Sequence, residues 1–346
     1  MPKVLTNQTP IYRNVSNTIP TTKNVSINTN EFLFYSNNPE NVSMTDTADK
    51  GYFLYKDTVT GSGQVYTWHC NNTGVAVNST LLVYNHNSFA INIDVGNNGL
   101  TNGIWNDSYA WKSYFDGYNT KKITIPAGGY WNLFEQKISN GNPWGVIARL
   151  SIKNSAGAAA SAQLFDAIYV DSMLSGNGKN YAKAQSSPLQ RGKGAGFYAT
   201  LSCTLELTAA TGNGVRVNFG SYSPSTSYSS FQGNECSTLV DASGAAGGKL
   251  FGAFGQQMCI SLTISNKTNA SRKFRIYLGS ASGGHYPVFS YAGTNISYNN
   301  PIANNLNFYD IIETDAIAHN SSQLITFFAA LPAGTNTPYS FGVRPM

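Results

Sequence analysis

A chain of 346 residues, 41% hydrophobic and 13% aromatic, is long enough for two cored domains and too rich in rings for disorder. Only 11% of residues are charged, and 22 basic against 17 acidic residues leave a net charge of +5. No basic cluster gathers on one element, which argues against nucleic-acid binding. No run approaches the roughly 18 apolar residues of a membrane span, so membrane insertion is not expected either.

Asn (39 residues), Ser, Thr and Gly supply the surface polarity, and Tyr and Phe are plentiful. Turn formers mixed with β-branched and aromatic residues read as all-β. The expected architecture is two tandem β-sandwich (jelly-roll-like) domains with an extended N-terminal arm.

Residues 1–30 form the predicted arm. Pro2, Pro10 and Pro20 forbid a helix. All the charge is positive (Lys3, Arg13, Lys23), and no apolar leader core follows Lys3. Within it, Ile11, Tyr12, Arg13 and Val15 are candidates for adding a strand to a neighbouring subunit's sheet.

Residues 31–170 form the first predicted domain. Ile91, Ile93 and Val95 alternate with Asn92 and Asp94, the period-2 pattern of a half-buried strand. One helix is predicted over Ser108 to Phe115, capped by Asn106 or Asp107 and stopped at Gly117. Residues 171–196, dominated by Gly, Ser, Asn and Lys, read as a linker.

Residues 197–346 form the second predicted domain. Leu201, Cys203, Leu205 and Leu207 alternate with polar residues, which makes Cys203 a core thiol. A long loop is expected from Ser221 to Lys249 and holds Cys236. Cys259 lies between Met258 and Ile260 and is expected to face away from the core. Cys236 and Cys259 are therefore the candidates for exposed thiols or covalent cross-links.

The chemistry-bearing residues are sparse. His69, His86, His285 and His319 show no metal-ligand spacing, and the four cysteines are not paired as a zinc framework requires. No Gly-x-Ser-x-Gly elbow occurs. No catalytic residue, metal or cofactor is expected, and the chain reads as non-enzymatic. Trp111, Trp131 and Trp144 lie in an aromatic-rich region. They are candidates for stacking on a glycan, with packing beneath the helix as the competing expectation.

Two segments read alike. Thr80–Tyr84 runs into the turn Asn85-His86-Asn87-Ser88, a strand to Val95, and later Pro126-Ala127-Gly128. Cys259–Ser265 runs into Asn266-Lys267-Thr268-Asn269, a strand to Leu278, and later Pro332-Ala333-Gly334. A duplicated β domain is expected. The same segments resemble uncharacterised two-domain β-sandwich envelope and spore-surface proteins of Gram-positive spore-forming bacteria. The resemblance implies an extracellular surface or spore envelope and a structural or adhesive role. The expected function is a self-assembling structural subunit whose partner is itself, with the arm linking copies. The alternatives are a double jelly-roll viral capsid protein, which would place it in a virion, and a carbohydrate-binding adhesive module with glycan partners.

Overall fold

The computed structural model describes every residue except 7, 16, 17, 19, 44–50, 118, 119, 171–190, 212, 221–228, 282 and 299–305. The chain is all-β with a single α-helix among the described residues. From the N-terminus the strands are β1 (Lys3–Val4), β2 (Ile11–Tyr12), β3 (Thr22–Ile27), β4 (Phe32–Ser36), β5 (Asn41–Ser43), β6 (Gly51–Thr60), β7 (Ser62–Asn72), β8 (Val77–Tyr84) and β9 (Ile91–Asn102). After the helix α1 (Ser108–Asp116) come β10 (Lys121–Ile125), β11 (Tyr130–Ile138), β12 (Pro143–Asn154), β13 (Ser161–Tyr169) and β14 (Arg191–Ala195). The rest are β15 (Tyr198–Leu207), β16 (Val215–Phe219), β17 (Thr238–Val240), β18 (Ala246–Lys249), β19 (Gln257–Asn266), β20 (Phe274–Ser280), β21 (Val288–Tyr291), β22 (Thr294–Ser297), β23 (Asn307–Glu313), β24 (Ser322–Ala330) and β25 (Tyr339–Pro345).

Contacts divide the chain into two compact units. The central unit comprises Asn28–Phe197 and Thr238–Leu250, and the C-terminal unit comprises Met1–Ile27, Tyr198–Ser237 and Phe251–Met346. The predicted boundaries at 31, 171 and 197 therefore differ from this division at the N-terminus and in the loop after β16.

The C-terminal unit has two sheets, ordered β1-β23-β20-β25-β16 and β22-β21-β24-β19-β15-β3. Alternation builds its core. Along β15, Ala199, Leu201, Cys203, Leu205 and Leu207 are buried while their neighbours face out. The first 27 residues are not a free arm, which corrects the expectation. β1 and β2 pair with β23, and β3 completes the other sheet on β15. Both sheets end in strands with unpaired backbone groups, and the segment satisfies them within its own chain.

Between β2 and β3, Arg13, Val15 and Thr18 lie against the outer face of the first sheet. Ile276, Leu278, Val217 and Phe341 point into the core, so Arg275, Tyr277 and Arg216 point the other way. The Arg13 guanidinium lies over the Tyr277 ring at 5.3 Å, and Arg216 Nε donates to the Val15 carbonyl at 2.5 Å.

The central unit pairs a nine-stranded sheet, β10-β9-β12-β7-β4-β14-β17-β18 with β5 on β7, with a four-stranded sheet, β11-β8-β13-β6. This is larger than the eight strands of a simple jelly roll. Residues 171–190 of the expected linker lie outside the described residues. Its end, β14, is a strand between β4 and β17. Composition concealed it because Gly192 and Gly194 pair through backbone alone, and a Cβ on Gly192 would sit 2.8 Å from the Val240 carbonyl.

The predicted helix is present, and Gly117 ends it in the left-handed region at φ 78°. Asn106 does the capping, its Oδ1 accepting from the Ser108 backbone N–H at 3.1 Å and the Ser108 hydroxyl at 2.5 Å. Asp107 instead accepts from the Tyr66 hydroxyl at 2.8 Å. Trp111, Ala110 and Tyr114 are the buried side of the helix. Its backbone reaches the sheet only because residue 99 is glycine. A Cβ there would lie 1.9 Å from the Ala110 carbonyl oxygen.

The repeat seen in the sequence is present as a shared strand path. In one unit β8 pairs with β11, while β9 pairs with β10 and β12. In the other β19 pairs with β24, while β20 pairs with β23 and β25. A fully buried asparagine closes each crossover between sheets. Asn85 Nδ2 donates to the Phe89 and Ile125 carbonyls, and its Oδ1 accepts from Asn87 N–H. Asn266 Nδ2 donates to the Ala270 and Ile317 carbonyls, and its Oδ1 accepts from Thr268 N–H. A side-chain amide carries both donor and acceptor functions, and the crossover uses both.

One pairing of segments needs correction. The counterpart of the turn at Gly128 is the turn at Asn320, not Pro332-Ala333-Gly334. Gly128 and Asn320 both donate their N–H to the clamp asparagine's carbonyl, and both have positive φ, 67° and 56°. Asn71 repeats the clamp at the crossover from β7 to β8, holding Val75 and Ile138. Asn71 and Asn266 head glycosylation sequons, and their burial keeps those amides from modification in the folded chain.

Candidate functional site

The residues singled out from sequence are scattered. Ile11 and Tyr12 pair with Phe308 and Asn307 and keep exposed side chains, while Val15 is buried. Arg13 is committed to Asp310, at 2.7 Å. Trp111 and Trp144 are core residues, a correction to their reading as glycan contacts. Trp111 packs with Tyr114 beneath α1, and Trp144 with His69 among Val42, Leu54 and Ile168. Trp131 is half exposed at 50%.

All four cysteines are free and buried. The cross-link reading of Cys236 and Cys259 is therefore corrected. Cys236 joins the core and donates to the Phe251 carbonyl. Cys259 does face away from the core strand partners Met258 and Ile260. On that side its cross-strand partner Phe328 packs with Tyr198, and Cys259 is itself only 7% exposed. Cys203 is the expected core thiol, pushed up to about 12 by burial.

Two clusters of polar groups and one lone histidine are the buried candidates for chemistry. Ser36, His69 and Asp166 meet in the central unit, at 3.3 Å and 2.7 Å from the His69 ring. Both contacts fall on Nε2, whereas a nucleophile relay needs serine and carboxylate on opposite nitrogens. Nδ1 lies 2.6 Å from the Pro39 carbonyl, and all three side chains are buried. The cluster ties β4, β7 and β13 together. In the C-terminal unit, Arg13, Arg275 and Arg344 converge on the fully buried Asp310 at 2.7, 3.3 and 2.7 Å. Among the described residues no group of three or more His, Cys, Asp or Glu is arranged to hold a metal.

His285 is the third. It is fully buried, with Nδ1 2.9 Å from the Gly283 carbonyl and Nε2 buried without a partner. Burial lowers its pKa to about 4. An unfolded histidine titrates near 6.5, so between those values the unfolded chain takes up a proton that the folded chain refuses. Stability therefore falls as pH drops through this window. About 3 kcal/mol is lost by pH 4 relative to pH 7, from about 1.4 kcal/mol per unit. Urea denaturation of wild type and His285→Gln across this range is expected to show a shallower pH dependence in the variant. Parallel curves would contradict this.

The surface feature that sequence reading missed is an apolar ridge on the central unit. Ile104, Trp105 and Tyr109 are 44%, 60% and 43% exposed, while Leu100, also 44% exposed, pairs with the core-facing Val146 and points to the sheet face opposite α1. Ile104, Trp105 and Tyr109 form the ridge, from the loop after β9 into the first turn of α1. The loop is held by the Asn106 cap and by Gly103, whose N–H donates to the Pro143 carbonyl at 2.8 Å. The ridge is thus a side of an anchored loop. The available signal was the run Gly99 to Tyr109 itself, where apolar residues fall out of phase with the preceding alternation.

No described helix is long and apolar enough to cross a membrane. No protein-family model matches the chain, and no curated protein matches it. Among solved structures, the carbohydrate-binding module TmCBM61, in complex with beta-1,4-galactotriose, is similar at 13% identity. The match covers 43% of this chain and 87% of that one, with a TM-score of 0.15. The PBSX exported protein XepA is similar at 8% identity over 85% of this chain and 86% of its own, with a TM-score of 0.16. The CUB1-EGF-CUB2 region of human MASP-1/3 gives 8%, 86% and 95%, with a TM-score of 0.17. Likenesses of this size carry no argument about function.

Proposed function

We propose that the protein is a non-enzymatic structural subunit of a bacterial surface or spore envelope that associates with copies of itself through the apolar ridge. One observation carries this reading. Three large apolar side chains, Ile104, Trp105 and Tyr109, stand exposed within six residues of a chain that is only 11% charged. Exposed apolar groups that lie close together mark interaction sites, and tryptophan and tyrosine are frequent anchors of interfaces. Charges of one sign normally keep copies of a protein apart, and this chain has few to spare. The N-terminal strands pair within their own chain, so the contact between copies is assigned to the ridge and not to the arm.

The test is light scattering on the eluting protein, comparing wild type with the double variant Ile104→Ser, Trp105→Ser. Both side chains are largely exposed, so the fold is expected to survive, with unchanged circular dichroism. Wild type is expected as an oligomer and the variant as a monomer. A wild type that is monomeric at its highest soluble concentration overturns the proposal.

A further inference from the structure

We infer that the outer face of β10, β9 and β12 is a binding groove for an acidic oligosaccharide. Ile91, Ile93, Val95, Ile125, Leu150 and Ile152 point from these strands into the core. Their neighbours form polar rows across the other face, Lys122, Asp94 and Ser151 in one and Thr124, Asn92 and Lys153 in the next. Helix α1 covers the face near Gly99 and leaves these rows open.

Two concavities lie there, of about 320 and 380 Å³, and they share Asp94 and Lys122. Each is within the size range of small-molecule sites. The charges are unevenly committed. Lys153 pairs with Asp94 at 3.4 Å, and Arg149 pairs with Glu31 and stacks on Phe197. Lys122 lines both concavities and Lys121, at the strand end with Val95 as its register partner, lines the first; both are exposed, and among the described residues neither ammonium has a hydrogen bond or an ion pair. The second concavity is lined by amides and hydroxyls, including Asn92, Thr124 and Asn154.

The free Lys122 ammonium on the outer face, beside neutral hydrogen-bonding groups, fits an anionic group carried on a polyhydroxylated ring. Nucleic acid fits poorly. A single strand wants aromatic platforms for its bases, and neither concavity has an aromatic lining residue. One free cation on this face is also well short of the roughly six to ten phosphate contacts of a strongly salt-dependent complex. Carboxylate and sulfate are the two sources of the anion, and the experiment separates them.

The full chain is titrated calorimetrically with trigalacturonate, a heparin tetrasaccharide and maltotriose, at low and at raised salt. The acidic fragments are expected to bind, more weakly at raised salt, and maltotriose is not. Binding of the galacturonate alone assigns the anion as carboxylate, and binding of heparin alone assigns it as sulfate. Lys122→Glu is expected to weaken binding at least tenfold, with Lys122→Gln between it and wild type. Asn92→Ala is expected to weaken binding without altering its salt dependence. Both positions are at the surface, and circular dichroism checks that each variant folds. No binding of either acidic fragment, equal binding of maltotriose, or Lys122→Glu binding as wild type would each overturn the site.

Discussion

Replacing Asp310 by alanine is expected to cost the C-terminal unit about 3–5 kcal/mol, the range found when one partner of a buried ion pair is removed. The side chain is wholly inaccessible and serves three guanidinium groups at once. Without it, Arg13, Arg275 and Arg344 crowd together with Glu313 as their nearest acid, which only Arg275 reaches. Burial already lowers the Arg13 pKa, and the Arg344 charge lowers it further, while Asp310 opposes both.

The loss has a second consequence. Arg13 holds the N-terminal segment against the outer face of the sheet. Asp310→Ala is therefore expected to make the segment between β2 and β3 sensitive to protease before the rest of the unit. Arg13→Ala should release the same segment at smaller cost, because Asp310 keeps Arg344 and Arg275. Urea denaturation and limited proteolysis check both. A cost below about 1 kcal/mol for Asp310→Ala would mean that the arginines find other partners.

Gly99→Val is expected to be as damaging by a different route. The new Cβ would fall 1.9 Å from the Ala110 carbonyl oxygen and 2.7 Å from the Ala110 Cα. These are backbone atoms of α1, which cannot rotate away as a side chain would. The helix has to lift, exposing Trp111 and Tyr114, both buried now. Loss of buried aromatic packing puts the cost above about 3 kcal/mol. Gly74→Ala is the control. It has positive φ, 87°, and no atom within 4 Å of the added Cβ, so only strain of about 1 kcal/mol is expected. Quencher access to tryptophan should rise for Gly99→Val and not for Gly74→Ala. Similar behaviour of the two would contradict the steric account.

What the sequence made legible was local. Alternation marked β9 and β15, the Asn106 to Gly117 signals bounded α1, and the paired asparagine turns revealed a duplicated path. Those features depend on neighbours within a few residues. The rest depends on partners far along the chain. The ion cluster at Asp310 gathers residues 13, 275, 310 and 344, and no spacing announces it. The N-terminal segment looked free because its pairing partners lie some 300 residues away. Trp111 and Trp144 looked like candidate ligand contacts because an aromatic residue reads alike in a core and on a surface. The polar rows of the groove were visible as the outer half of an alternating strand. Their concavity arises only when β10, β9 and β12 align.

The claim that most needs testing is self-association. Electron microscopy of the purified chain at high concentration separates fibre, sheet, closed oligomer and monomer in one experiment. Regular assemblies that disappear in the Ile104→Ser, Trp105→Ser variant are predicted. Fields of isolated single particles, the same for wild type and variant, would contradict the account.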